Sequence, residues 1–95
     1  MKKFVFLTYG FKPPTPEIME QWGEWMASIK DSIVEMGHLS GGCEISKDGI
    51  EDLPMGLEAI TGFMIVNAAS HEDAMKMADS NPYITSIRVY ELMQH

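Results

Sequence analysis

Ile60-Thr61-Gly62-Phe63-Met64-Ile65-Val66-Asn67-Ala68 decides the fold. Read as a strand, it points Phe63 and Ile65 to one face and Met64 and Val66 to the other, so both faces are apolar. A strand with one wet face alternates apolar with polar residues. This one must be covered above and below, and a chain of 95 residues has little material for both tasks. Lys3 to Tyr9 repeats the pattern, with Phe4 and Phe6 set against Val5 and Leu7 in an aromatic and β-branched run.

The segments between and around these strands read as helices, loops and weaker strands. Thr15-Pro16 marks a helix start, with threonine as N-cap, proline at the first helical position and Glu17 near the positive end of the dipole. Ile18, Trp22, Trp25, Ile29, Ile33 and Met36 recur at steps of three or four. They predict one amphipathic helix to about Met36, with Gly37 as its C′ residue. Glu17, Glu20, Glu24, Asp31 and Glu35 take the opposite, wet side. Gly23 sits inside this helix, where it costs about 1 kcal/mol relative to alanine.

A second, weaker strand is expected over Leu39 to Ser46, its Gly41-Gly42 pair marking a bulge or a close approach to the backbone. Lys47 to Leu57 reads as a long loop, with Asp48-Gly49, Asp52, Pro54 and Gly56 as turn residues. After the third strand, Ser70 caps a second helix whose inner face is Ala74, Met77 and Ala78, and Ser80-Asn81-Pro82 stops it. Thr85 to Met93 is the last strand; Arg88 and Glu91 suggest a position at the sheet edge.

The whole chain, 1–95, reads as one domain in the order β-α-β-β-α-β, the split βαβ arrangement. Right-handed crossovers put the first and third strands in the centre of a four-stranded antiparallel sheet, with both helices on one face. The central strands are then the two that are apolar on both sides. Helices cover only one face of the sheet. A second copy is expected to cover the other, sheet against sheet, in a homodimer.

Composition narrows the partners. The 45% hydrophobic content is ordinary for a globular chain, and no run of about eighteen apolar residues could span a bilayer. After Lys2-Lys3, the apolar stretch before Gly10 is too short for a signal peptide, so a cytoplasmic location is expected. The formal net charge of -7, with seven basic residues scattered among fourteen acidic ones, argues against nucleic acid. One cysteine, Cys43, precludes an intramolecular disulfide and a cysteine-only metal site. It is expected as a buried structural thiol.

Four stretches carry a likeness to a known family. They are the opening Phe4-Val5-Phe6-Leu7-Thr8-Tyr9, Gly37-x-Leu39 leading to Gly41-Gly42, Thr61-Gly62-Phe63, and Glu72-Asp73-Ala74 followed by Ala78-Asp79-Ser80-Asn81-Pro82-Tyr83. With these the chain resembles the YCII-related family of the dimeric α+β barrel group. The last stretch is the most specific. The resemblance implies a ferredoxin-like α+β fold, a dimer, and a small pocket between the first helix and the sheet. It also implies enzymes acting on small ring compounds, among them a dehydrochlorinase and muconolactone-isomerase-like activities. The family's proposed His-Asp pair is not matched. No histidine lies between Phe11 and Gly37, where Trp25 or Met26 stands instead, and Asn81 occupies the place of the aspartate. Asparagine cannot act as a general base.

Each candidate site residue has a plain reading beside its functional one. His38, just after the expected helix end, is a surface cap favoured by the dipole, or an acid or base at a pocket mouth. Trp22, Trp25 and Met26 are core residues, or walls of a ring-binding pocket. Tyr9 and Tyr83 are rim aromatics, or hydrogen-bond donors to a ligand oxygen. Asn81 closes the helix end, or holds a ligand amide or carboxylate. His71-Glu72-Asp73 is a solvated first turn, because consecutive helical residues point apart. His95 is terminal and expected to be disordered. Nine methionines without His-Met spacing support neither haem nor copper, and no cofactor or metal is expected.

The leading expectation is a small dimeric protein that binds a ring-bearing or acidic metabolite under the first helix. Weak lyase or isomerase chemistry through His38, Tyr9 or Asn81 belongs to that reading. The runner-up is a non-catalytic interaction or regulatory module. A cofactor-free monooxygenase is a third, weaker option that fold alone does not establish.

Overall fold

The computed structural model describes residues 1–93, so His95 lies outside the described residues. The elements are β1 (Lys2–Tyr9), α1 (Pro16–Ile29), a single 3₁₀ turn (Lys30–Ser32), β2 (Ile33–His38), β3 (Gly42–Ser46), β4 (Gly49–Leu53), β5 (Ile60–Ala68), α2 (His71–Asp79) and β6 (Ser86–Glu91). Four strands form one antiparallel sheet in the order β2-β5-β1-β6, and β3 and β4 form a separate hairpin. The two strands apolar on both faces, β1 and β5, are the central pair. With the hairpin set aside, the topology is consistent with a ferredoxin-like α+β fold.

Both helix starts follow their caps. Thr15 Oγ1 accepts from the Ile18 N–H at 3.2 Å, and Ser70 Oγ accepts from the Asp73 N–H at 3.2 Å. Phe4, Phe6, Met64, Val66 and Ala68 project from one face of the sheet into a single cluster with Trp25, Ile29, Ala74 and Ala78. Both helices therefore share that face. Alanines at 74 and 78 bring α2 close to the sheet, while Trp25 fills the wider gap beneath α1. Phe4 and Phe6 are almost fully buried, and truncating either to alanine costs about 3–5 kcal/mol.

Several expectations are corrected. The first helix ends at Ile29, not near Met36, and Ile33–His38 is the edge strand instead of Leu39–Ser46. Ile33 and Met36 fit a helical stripe and a strand face equally well. The free edge of β5 decides between them by pairing with β2 from Ile33 to His38. Gly37 is accordingly a strand residue, and a Cβ there would meet Phe63 Cε1 at 2.6 Å. His38 ends a strand and does not follow a helix C-terminus.

The expected loop over Lys47–Leu57 contains β4. Lys47-Asp48 makes the two-residue turn of the hairpin, and Gly49, which opens β4 opposite Ser46, has φ +124, a conformation that glycine adopts readily. Every residue from His38 to Met55 is exposed, Cys43 included, so this thiol is not buried. The hairpin stands out from the body as an arm. The radius of gyration, 14.4 Å, exceeds the roughly 12 Å of a compact chain of this length.

Candidate functional site

Directly opposed residues of an antiparallel pair share a face, which assigns every side chain near the end of the sheet. Phe6 pairs with Met64, Thr8 with Gly62, Met36 with Met64 and His38 with Gly62. All of these lie on the helix-covered face. The inward series of β5 runs Ala68, Val66, Met64 and then Gly62, so the core filling stops where the side chain does. A Cβ at Gly62 would fall 2.8 Å from Thr8 Oγ1. The short residue there leaves a hollow beneath the first turns of α1.

That hollow is a cavity of about 630 Å³. Its roof is the α1 surface formed by Ile18, Trp22, Gly23 and Met26, with Trp25 deeper in. Its floor is Phe6, Thr8, Met36, Gly62 and Met64; Lys12 and His38 stand at exposed positions, and Asn81 and Ile84 close it from the α2–β6 connection. Trp22 and Trp25 meet edge to face, with ring centroids 5.8 Å apart at 81°. The size and the apolar walls suit a small-molecule site.

Among the residues expected at a site, Trp22, Trp25, Met26, His38 and Asn81 come together at this cavity. Trp25 has a structural engagement as well, since its Nε1 donates to the Met77 carbonyl at 3.0 Å and to Ser80 Oγ at 3.1 Å. Its ring is the part left to face a ligand. Tyr9 borders the cavity, yet its ring lies under the Arg88 guanidinium, 4.7 Å from the ring centroid. Arg88 is paired with Leu7, on the sheet face away from the helices. The Tyr9 ring therefore belongs to that other face. Tyr83 is half-exposed in a separate, more open hollow of about 770 Å³ between α2 and β6. The two tyrosines do not converge.

Among the described residues, Asn81 is the polar side chain that the fold buries. It is 5% exposed, and neither Oδ1 nor Nδ2 has a hydrogen-bond partner. Its main chain is fully engaged: the N–H donates to Ala78 O at 3.0 Å, and the carbonyl accepts from the Tyr83 N–H at 2.9 Å. Only the side-chain amide is unpaired, and both of its polar atoms are closed off from solvent. The larger hollow beside α2 lacks the tryptophan walls, so the smaller, more enclosed cavity is the better site. His71 packs its ring edge against Phe4 at a centroid distance of 5.6 Å, and among the described residues no three His, Cys, Asp or Glu side chains cluster as a metal site.

Thr8, Met36 and Gly62 line the cavity without having been singled out for it. Gly62 carried a legible signal, because a glycine inside an otherwise apolar strand marks missing volume or a close approach. Met36 was hidden by its fit to the helical stripe.

No family model matches the chain, and no curated protein matches it. Among solved structures, it is similar to 5-chloro-2-hydroxyhydroquinone dehydrochlorinase from Burkholderia phenoliruptrix AC1100, in complex with 2,5-dihydroxybenzoquinone. The two are 12% identical, with a TM-score of 0.58 over 98% of this chain and 95% of that one. Likeness at that identity speaks to architecture and leaves chemistry open. This chain thus has the α+β fold of that enzyme: a four-stranded antiparallel sheet with two helices on one face.

Proposed function

We propose that the chain binds a small ring-bearing or acidic metabolite beneath α1, as a YCII-like member of the dimeric α+β barrel group. The observation that carries this reading is the aromatic-walled cavity of about 630 Å³ beneath α1, where Trp22 and Trp25 meet edge to face. The similar dehydrochlorinase, whose solved complex holds a flat oxygenated ring, adds support of its own.

Chemistry of the lyase or isomerase type would pass through His38. Imidazole is the side chain suited to moving protons near neutral pH, and His38 is the imidazole at this cavity. Asn81 would hold a ligand group without exchanging a proton.

The test is a thermal-shift and calorimetric panel of hydroquinones, phenols, lactones and small aromatic acids. A ligand at a hundred times its dissociation constant stabilises by about 2.7 kcal/mol, several degrees in a domain of this size. Trp22→Ala should weaken every hit. Hits that Trp22→Ala leaves unchanged, or silence across the panel, would count against the cavity and favour an interaction module.

A homodimer accompanies this reading. Val5, Leu7, Phe63 and Ile65 form an apolar strip on the helix-free face, only half-buried within one chain. Ile45 and Ile50, paired across the hairpin, are each about three-quarters exposed. An isolated two-stranded hairpin is marginal in water, and both surfaces gain from a second copy. Sedimentation at micromolar concentration decides it; a monomer there removes the dimer.

A further inference from the structure

We infer that the cavity takes an acid with an apolar body, its single carboxylate seated at the mouth over Thr8, Gly62 and His38 and the rest of the molecule beneath α1. The inference rests on the cavity being a small-molecule site and names the class of ligand that the site takes.

The floor changes character from one row of the sheet to the next. Met36, Met64 and Phe6 lie side by side across β2, β5 and β1, and all three are apolar. Two residues further along, about 7 Å away, the row reads His38, Gly62 and Thr8. β2 ends at His38 and β1 at Tyr9, so this is the last row on the helix-covered face. The polar row therefore stands at the end of the sheet and the apolar row deeper in.

The Thr8 hydroxyl is within reach of a ligand. Gly62 puts no side chain between Thr8 and His38, and Thr8 Oγ1 leans over the gap, 2.8 Å from where a Cβ would stand. Among the described residues Thr8 Oγ1 has no hydrogen-bond partner, its carbonyl being the group that Thr61 engages. Unlike the Asn81 amide, it is not closed off from solvent. Thr8 lies on a central strand and lines the cavity, so the space that reaches its hydroxyl is the cavity itself.

Charge gives the sign of the ligand. The chain has fourteen acidic residues and a net charge of -7, yet none of the fourteen lines this cavity, whereas Lys12 and His38 do. Among the described residues the ion pairs are Lys2–Glu91 and Lys76–Glu72, so neither Lys12 nor His38 is neutralised by a carboxylate. An opening bordered by basic and neutral groups on an acidic protein attracts anions. Lys12 is fixed there by its neighbours: the Phe11 N–H donates to Gly56 O at 2.9 Å, and Pro13 and Pro14 stiffen the chain that follows. Its one full charge matches a carboxylate, and the Thr8 hydroxyl and a His38 N–H are donors for the same group. At the mouth the head keeps part of its hydration, which a charge buried among Trp22, Met26 and Met64 would lose. Those residues suit the apolar body instead.

The experiment is calorimetry at neutral pH and low salt with three probes of one shape: 2-naphthoate, the neutral 2-naphthamide and the cationic 2-naphthylmethylamine. Wild type should bind 2-naphthoate about tenfold more tightly than the amide and the amine least, and high salt should shrink the gap. Lys12→Gln and His38→Gln, both at exposed positions, should together abolish the preference for the acid. Thr8→Val, which keeps the shape, should weaken 2-naphthoate severalfold. Amide binding as tight as acid binding, or a preference that survives the double substitution, overturns the inference. Unchanged 2-naphthoate affinity in Thr8→Val overturns the placement of the head. Hydroquinones that bind where all three naphthalene probes fail also overturn it and leave the cavity as a site. Silence from the hydroquinones as well removes the site, and this inference with it. The ranking of probes on wild type stands even if a variant does not fold.

Discussion

Trp25 and Ser80 are 55 positions apart in the chain, and the Trp25 indole N–H donates to Ser80 Oγ at 3.1 Å and to Met77 O at 3.0 Å. This contact ties α1 to the end of α2, one residue before Asn81. The roof of the cavity and its buried polar group are thereby held in one arrangement.

Trp25→Phe keeps an aromatic ring and removes the N–H. It should lower the unfolding free energy by about 1–3 kcal/mol in equilibrium urea denaturation, with Ser80→Ala costing about 1 kcal/mol. The two should be non-additive when combined, because they share one network. A loss below about 0.5 kcal/mol for Trp25→Phe would mean that the bond is incidental.

Gly23→Ala should move stability and binding in opposite directions. Nothing in the chain meets the added methyl, so helix propensity alone should raise stability by about 1 kcal/mol, a few degrees in melting temperature. The same methyl narrows the cavity and should weaken ring ligands in titration. Unchanged affinity would place the ligand away from α1.

Asn81→Asp puts a carboxyl where the amide has no partner. Burial without a partner raises the folded-state pKa of that carboxyl above the unfolded value of about 3.9. The unfolded chain then releases its proton first, so the variant loses stability relative to wild type as pH rises above about 4, up to the folded pKa. Denaturation curves across that range check the sign. A variant that gains stability with rising pH would show that a cation reaches the site.

Ile65→Glu places a charge in the middle of the helix-free face, directly opposite Val5. In a monomer the carboxylate stays solvated and the domain remains folded. In a sheet-to-sheet dimer it would be buried. The expected outcome in sedimentation velocity is a folded monomer, against the proposed dimer for wild type at the same concentration.

Much of the architecture was legible because its signals are local. Apolar residues on both faces marked Lys3 to Tyr9 and Ile60–Ala68 as the central strands. Thr15 and Ser70 announced their helices through side chains that bond within three residues. Trp22, Trp25 and Met26 were placed under α1 by helical spacing, whether as core or as pocket wall.

By itself, then, the sequence determined the order of elements, the central strands, the helix starts and an apolar second sheet face. Each of these depends on contacts a few residues apart or on a period within one element. Only the tertiary structure decided where α1 gives way to β2, because Ile33 and Met36 suit both periods until the edge of β5 supplies backbone partners. The cavity beneath α1, the Tyr9 ring turned away under Arg88, and the Asn81 amide without partners were likewise decided there. Each depends on which groups from distant segments arrive, or fail to arrive, at one point in space, and no local pattern encodes that.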